Sequence, residues 1–131
     1  MRVLLVHPSP LLFSEIYLRL EPLGVERVGT ALAAAGHEVR LLDLQVWRHG
    51  DYRRALRTWW PEVIGFSLNY LANVPEVVDL AREAKDVLPD CRVLVGGHSA
   101  SFVAGTRADE PGDARPGRAP AAAARPRRRT W

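Results

Sequence analysis

At 131 residues, with 47% hydrophobic and 25% charged residues, the chain has the composition of one globular domain with a sizeable core, not of a disordered protein. The single Cys91 excludes an internal disulfide and argues against any multi-cysteine zinc or iron–sulfur site. The net charge of +3 is unevenly spread: residues 1–103 hold eleven Lys/Arg against twelve Asp/Glu, and residues 104–131 hold seven Arg against three acids. Basicity therefore belongs to the last segment and says little about what the folded part binds.

Val3 to Val6 is a near-continuous apolar run, as expected of a parallel strand covered on both faces, and His7-Pro8-Ser9-Pro10 ends it. Four apolar residues are too few for a signal peptide or a membrane span, so a cytoplasmic protein without a membrane span is expected. Leu11 to Leu20 follows no clean period and reads as a long loop at the carboxyl edge of the sheet. The stretch Leu20 to Leu44 then gives a helix and a strand. Pro22 suits the first turn, and Leu23, Val28, Ala31, Leu32 and Ala35 recur at helical spacing. Gly36 suits the left-handed position after the last turn, and Val39 to Leu42 forms a short strand ending at Asp43.

Gln45 to Trp60 is a weaker segment, with Tyr52, Leu56 and Trp59 or Trp60 on one helical face before Pro61. Val63 to Ser67 is a third strand whose Gly65 suggests a close neighbour. Asn73 is a plausible N-cap, with Pro75 in the first turn and Glu76 three residues after the cap. The helix that follows is expected to bury Val77, Leu80, Ala81, Ala84 and Leu88. Arg92 to Val95 is a fourth strand running into Gly96-Gly97-His98. The pattern β-α-β-α-β-α-β predicts an α/β, Rossmann-like parallel sheet of about four strands with right-handed crossover helices. Flavodoxin-like order, with the second strand outside the first and the third beside it, places the crevice above His7, Ser67 and Gly96.

Few residues in this frame announce chemistry. Neither G-x-G-x-x-G nor a P-loop follows the first strand, so dinucleotide and P-loop nucleotide binding are disfavoured, and Asp43 alone does not restore them. The absence of paired acids there argues against a receiver domain. Gly96-Gly97 permits either a close ligand approach or a tight strand-to-loop turn. Ser67 offers a hydroxyl to the crevice or to the following backbone. Of the four histidines, His37 and His49 read as solvated, while His7 and His98 lie at the crevice edge without a paired carboxylate or nucleophile nearby in sequence. No catalytic or metal-ligating residue is assigned. Trp59-Trp60 reads as a helix end packed on the sheet. The arginines near the C-terminus lack the interleaved aromatics or binding fold of a specific nucleic-acid site.

From Ala104 to Trp131, 22 of 28 residues are Ala, Arg, Pro or Gly, and no apolar period survives. The expectation is a disordered tail after a domain of residues 1–103. Its GC-rich codon types suggest a segment read out of frame, a truncation that leaves the domain incomplete at its C-terminal edge; a genuine basic tail is the alternative.

RVLLVHPSP, EPLGVERVGTALAAAGHEVRLLDL and EVIGFSLNYLANVPEVVDLAREAKDVLPDCRVLVGGHSASF together resemble the N-terminal cobalamin-binding domain of B12-dependent radical SAM proteins, over about residues 1 to 103. FSEIYLRLEPLGVERV is most similar to the hopanoid C-3 methylase type. The resemblance implies a Rossmann-like domain that holds cobalamin at the carboxyl edge of its sheet. It matches Ser67 to the serine after the third strand and Gly96-Gly97 to the glycine pair after the fourth. Cofactor contacts are then implied for Ser67, Leu68 and Asn69, for Gly96, Gly97 and His98, and for His7 and Pro8, with the Pro8 to Glu21 loop over the corrin. D-x-H-x-x-G is absent, since Leu5 stands two residues before His7, and Asn69 replaces the leucine of S-x-L. The resemblance therefore suggests cobalamin bound without a protein imidazole on cobalt. The C-x-x-x-C-x-x-C ligands of the radical SAM half are absent, implying a module not catalytic alone that works with a separate radical SAM domain or chain. A non-functional fragment, or a flavodoxin-like domain for another small ligand, are the alternatives. The fourth strand is expected to be an unprotected edge.

Overall fold

Four short apolar segments pair side by side in a computed structural model that describes residues 1–10 and 21–106. β1 (Arg2–His7), β2 (Glu38–Asp43), β3 (Val63–Ser67) and β4 (Arg92–Gly96) form one parallel sheet in the order β2-β1-β3-β4. This is the flavodoxin-like order expected from the pattern of elements. β1 is central, and its four residues Val3 to Val6 are all buried. The chain moves left to β2 and then right to β3, so the carboxyl ends of β1 and β3 flank the point where strand order reverses.

The two faces of the sheet are covered unequally. On one face lie α2 (His49–Trp59) and α3 (Val74–Val87). There Leu4 and Val6 of β1, Ile64 and Phe66 of β3 and Val93 of β4 pack with Tyr52, Leu56 and Trp59 of α2 and Val77, Leu80 and Ala84 of α3. The expected face of α2 therefore forms, and it chooses Trp59. The Trp59 indole donates to Glu38 Oε1 at 3.0 Å and lies 4.5 Å beneath the Arg40 guanidinium. Trp60 does not pack on the sheet: it sits at φ 48°, ending α2 in a left-handed turn, and is 58% exposed. The buried Tyr52 hydroxyl donates to Leu80 O at 2.7 Å and so pins α2 to α3. α2 starts firmly because Arg48 N–H donates to Asp51 Oδ2 at 3.0 Å while Asp51 N–H donates to Arg48 O at 2.9 Å.

Among the described residues, the other face carries α1 (Leu23–Ala34) and a small cluster of Val3, Leu5 and Val25, with Leu32, Val39 and Val63 partly buried around it. Here the expected apolar face of the helix needs correction. Leu23 and Val28 are exposed, as are Ala31 and Ala35; the contact runs through Val25, Gly29 and Leu32. A Cβ on Gly29 would lie 3.2 Å from a Leu5 methyl, so the helix approaches the sheet over a glycine, which an apolar period cannot register. α1 ends as predicted: Gly36 has φ 88°, with Gly36 N–H donating to Ala33 O and His37 N–H to Leu32 O. Gly65 also behaves as expected, since a Cβ there would meet a Leu5 methyl at 2.9 Å.

Two further features depart from the sequence reading. Asn73 stands at the start of α3, after a 3-10 turn Leu71–Asn73, but its side chain makes no cap hydrogen bond. After β4 the chain enters α4 (His98–Thr106), which crosses the boundary placed at residue 103. No apolar period marks it because it is anchored by a polar residue, Ser99, with Ala100 partly packed on the larger core. β4 has no neighbour beyond it among the described residues, so it is the sheet edge. Among the same residues no helix is long and apolar enough to cross a membrane. The expected Leu11 to Leu20 loop, and the tail from Arg107 onward, lie outside the described residues.

Candidate functional site at the carboxyl edge

Strand register brings four chemically distinct residues into one row. Asp43 of β2 pairs with His7 of β1, and Ser67 of β3 pairs with Gly96 of β4. The Val6–Phe66 pairing sets His7 next to Ser67. Side chains alternate along a strand, so His7 falls on the face of Val3 and Leu5, and Ser67 on that of Gly65. Both therefore belong to the sparsely covered α1 side. The row reads carboxylate, imidazole, hydroxyl and glycine, with neighbouring strands about 4.8 Å apart.

His7 is half-buried, and its Nδ1 is fully buried without a hydrogen-bond partner. Burial pushes its pKa below the usual imidazole value, and the carboxylates of Asp43 and then Glu76 oppose that shift. Ser67 is 9% exposed at the end of β3.

The two glycines do different work. Gly97 has φ 107°, and a Cβ there would meet Leu68 O at 2.7 Å and Asn69 Oδ1 at 2.8 Å. It is glycine because the β4–α4 turn presses against the β3–α3 loop. A Cβ on Gly96, by contrast, would meet nothing within 4 Å. The protein's own packing does not require a glycine there, and the open space it leaves lies at the end of the row. Leu68 is a core residue whose N–H donates to Gly96 O at 2.6 Å, so it holds the crevice wall. Asn69 and His98 are exposed, His98 standing edge-on to Phe102 at 5.0 Å between ring centroids. Pro8 is buried directly after His7.

Sequence reasoning missed two members of this edge. Ser99 is 5% exposed; its N–H donates to Leu68 O at 3.0 Å and its hydroxyl to Asn69 O at 2.7 Å, tying α4 to the β3–α3 loop. The only available signal was its place two residues after the glycine pair. Glu76 joins three elements. Its carboxylate accepts from the Ser9 hydroxyl and from Ser9 N–H at 3.1 Å, from Asn73 Nδ2 at 3.3 Å, and pairs with His49 Nε2 at 2.7 Å. Asn73 Nδ2 also donates to Ser9 O at 3.0 Å, which is why its side chain does not cap α3. His49 is therefore not simply solvated, and the chain leaving β1 is clamped at Ser9.

With Ser67 and an open glycine side by side at the carboxyl edge, the comparisons with known proteins carry weight. A family model described as the B12 binding domain matches residues 10–125. The chain belongs to this B12-binding domain family. Within it, the chain is 62% identical over 104 residues to the hopanoid C-3 methylase of Methylococcus capsulatus, covering 79% of this chain and 20% of that protein. It is also 27% identical over 130 residues to the cytidylyl-2-hydroxyethylphosphonate methyltransferase of Streptomyces wedmorensis, covering 84% of this chain and 24% of that protein. The chain thus spans a fifth to a quarter of the length of these curated relatives. The resemblance read from the sequence, to a cobalamin-binding domain of the hopanoid methylase type, is borne out at the level of family.

Proposed function

We propose that the chain is a cobalamin-binding module that serves a B12-dependent methyltransferase of the radical SAM type. One observation supports this reading: at the end of β4 Gly96 leaves room that the protein's packing does not need, beside Ser67 of β3. The donor set fits the group, because cobalamin's nucleotide tail offers a flat base for a glycine-bordered slot and polar atoms for a serine hydroxyl. Gly96 and Ser67 would line the tail, and Leu68 and Gly97 would hold the two walls around it in register. His7 and Pro8 border it from β1, and Asn69 and His98 lie at its mouth. When bound, cobalamin supplies the cobalt centre that carries a methyl group.

The residues of this chain bind and orient; none of them is assigned a bond-making role. His7 lies within electrostatic reach of the carboxylates of Asp43 and Glu76, and cobalamin would be held without a protein imidazole on the cobalt. Glu76 and Asn73 fix Ser9 and thereby the path of the chain above β1. The radical SAM chemistry comes from a separate domain or chain. The similarity to two methyltransferases over only part of their lengths supports this division of labour. Adding hydroxocobalamin to the purified chain, desalting, and recording the visible spectrum tests the reading. A retained corrin chromophore at one equivalent is expected; a colourless protein overturns it.

A further inference from the structure

The strand-end row has a charge arrangement that cobalamin would aggravate. Among the described residues, the groups acting on His7 are carboxylates: Asp43 beside it on β2 and Glu76 from α3, which itself holds His49 of α2. Ser67 on β3 is neutral, and at the end of β4 the remaining imidazole, His98, is exposed beyond Gly97. Cobalamin's nucleotide loop contains a phosphodiester, which is anionic throughout the physiological pH range. A tail seated along Ser67 and Gly96 brings that anion to a partly desolvated edge already carrying two carboxylates, and like charges there repel strongly. The row holds one group able to become a cation, and that group has a buried ring nitrogen with no partner.

We propose that His7 is the phosphodiester-answering residue of this site, taking one proton from solvent as cobalamin binds and pairing as imidazolium with the nucleotide-loop phosphate. This inference rests on the cobalamin reading above. Protonation makes both ring nitrogens donors, so the phosphate and the neighbouring Asp43 together satisfy an imidazole that the free chain leaves incomplete. In the free chain burial keeps the ring neutral, so the proton is acquired on binding and not beforehand.

Calorimetric titration of the full chain with cyanocobalamin, whose cobalt-bound cyanide does not titrate, in two buffers of contrasting ionisation enthalpy measures the proton directly. At about pH 7.5 an uptake of up to about one proton per cobalamin is expected, with affinity falling up to about tenfold per pH unit above it. Cobinamide, which lacks the nucleotide loop and its phosphate, is expected to bind with no uptake. His7→Gln should abolish the uptake and flatten the pH dependence of cobalamin affinity. Cobalamin bound by the natural chain without proton uptake, equal uptake with cobinamide, or uptake that persists in His7→Gln overturns the proposal. The contrast between cobalamin and cobinamide decides the matter even where the variant fails to fold. Absence of any corrinoid binding by the natural chain instead overturns the cobalamin reading itself.

Discussion

The two faces of this sheet solve different problems with the same strands. Under α2 and α3, side chains from three strands and two helices interlock around the fully buried Tyr52, Leu56 and Ile64. On the α1 side, among the described residues, three buried residues do the packing, Leu94 of β4 is exposed, and two glycines, Gly29 and Gly65, stand where side chains would crowd Leu5. Stability is concentrated on the first face, while the strand-end row of His7, Ser67 and Gly96 opens on the second.

Core truncation gives the largest expected contrast. Leu56→Ala on the packed face should cost about 3 kcal/mol in denaturant unfolding, against about 1 kcal/mol for Val25→Ala on the sparse face. Equal losses would show that the faces are not energetically distinct. Next, Gly97→Ala should cost about 2 kcal/mol, because its left-handed backbone and the 2.7 Å approach to Leu68 O both resist a Cβ. Gly96→Ala, with open space around it, should melt like the natural chain yet retain less cobalamin after desalting. A Gly96→Ala protein that binds as well as the original would remove Gly96 from the site.

Smaller effects sharpen the same map. Trp60→Gly should stabilise the chain by about 0.5–1 kcal/mol, since an exposed left-handed tryptophan holds a conformation that glycine adopts without strain. A loss of stability in the melt would mean that the indole makes a contact of real value. The smallest change concerns acid. His7 has a folded pKa below its unfolded value, so the unfolded chain binds the extra proton and stability falls as pH drops through 6.5 towards that lower pKa. Above the unfolded value the contribution is fully present. His7→Gln should therefore show a shallower loss of stability between about pH 7 and pH 5; an unchanged slope would assign the acid sensitivity elsewhere.

How much of this was legible depended on whether a residue's role was local. Strand order, Gly36, Gly65 and the Tyr52–Leu56–Trp59 face follow from spacing and turn chemistry, and all four appear in the structure. The binding face of α1 was misread because its helix meets the sheet through Gly29, and an apolar period rewards Leu23 and Val28 instead. α4 escaped notice because it is fastened by hydrogen bonds from Ser99 and not by an apolar stripe. At the site, Ser67 and the glycine pair were found as strand ends, but the different duties of Gly96 and Gly97 depend on what lies across the β3–α3 loop. Glu76 was visible only as a capping residue, because its partners Ser9 and His49 lie 67 and 27 residues away.

The central place of β1 also bears on how the chain is made. Val3 to Val6, the most completely buried strand, has partners on either side that begin only at Glu38 and Val63. Its second edge therefore stays open until Val63 to Ser67 has been synthesised, at about 5–20 residues per second. Such distant parallel pairing is slow to form and leaves an apolar ribbon exposed in the meantime. The nascent chain, more than the finished domain, is the form most dependent on chaperones.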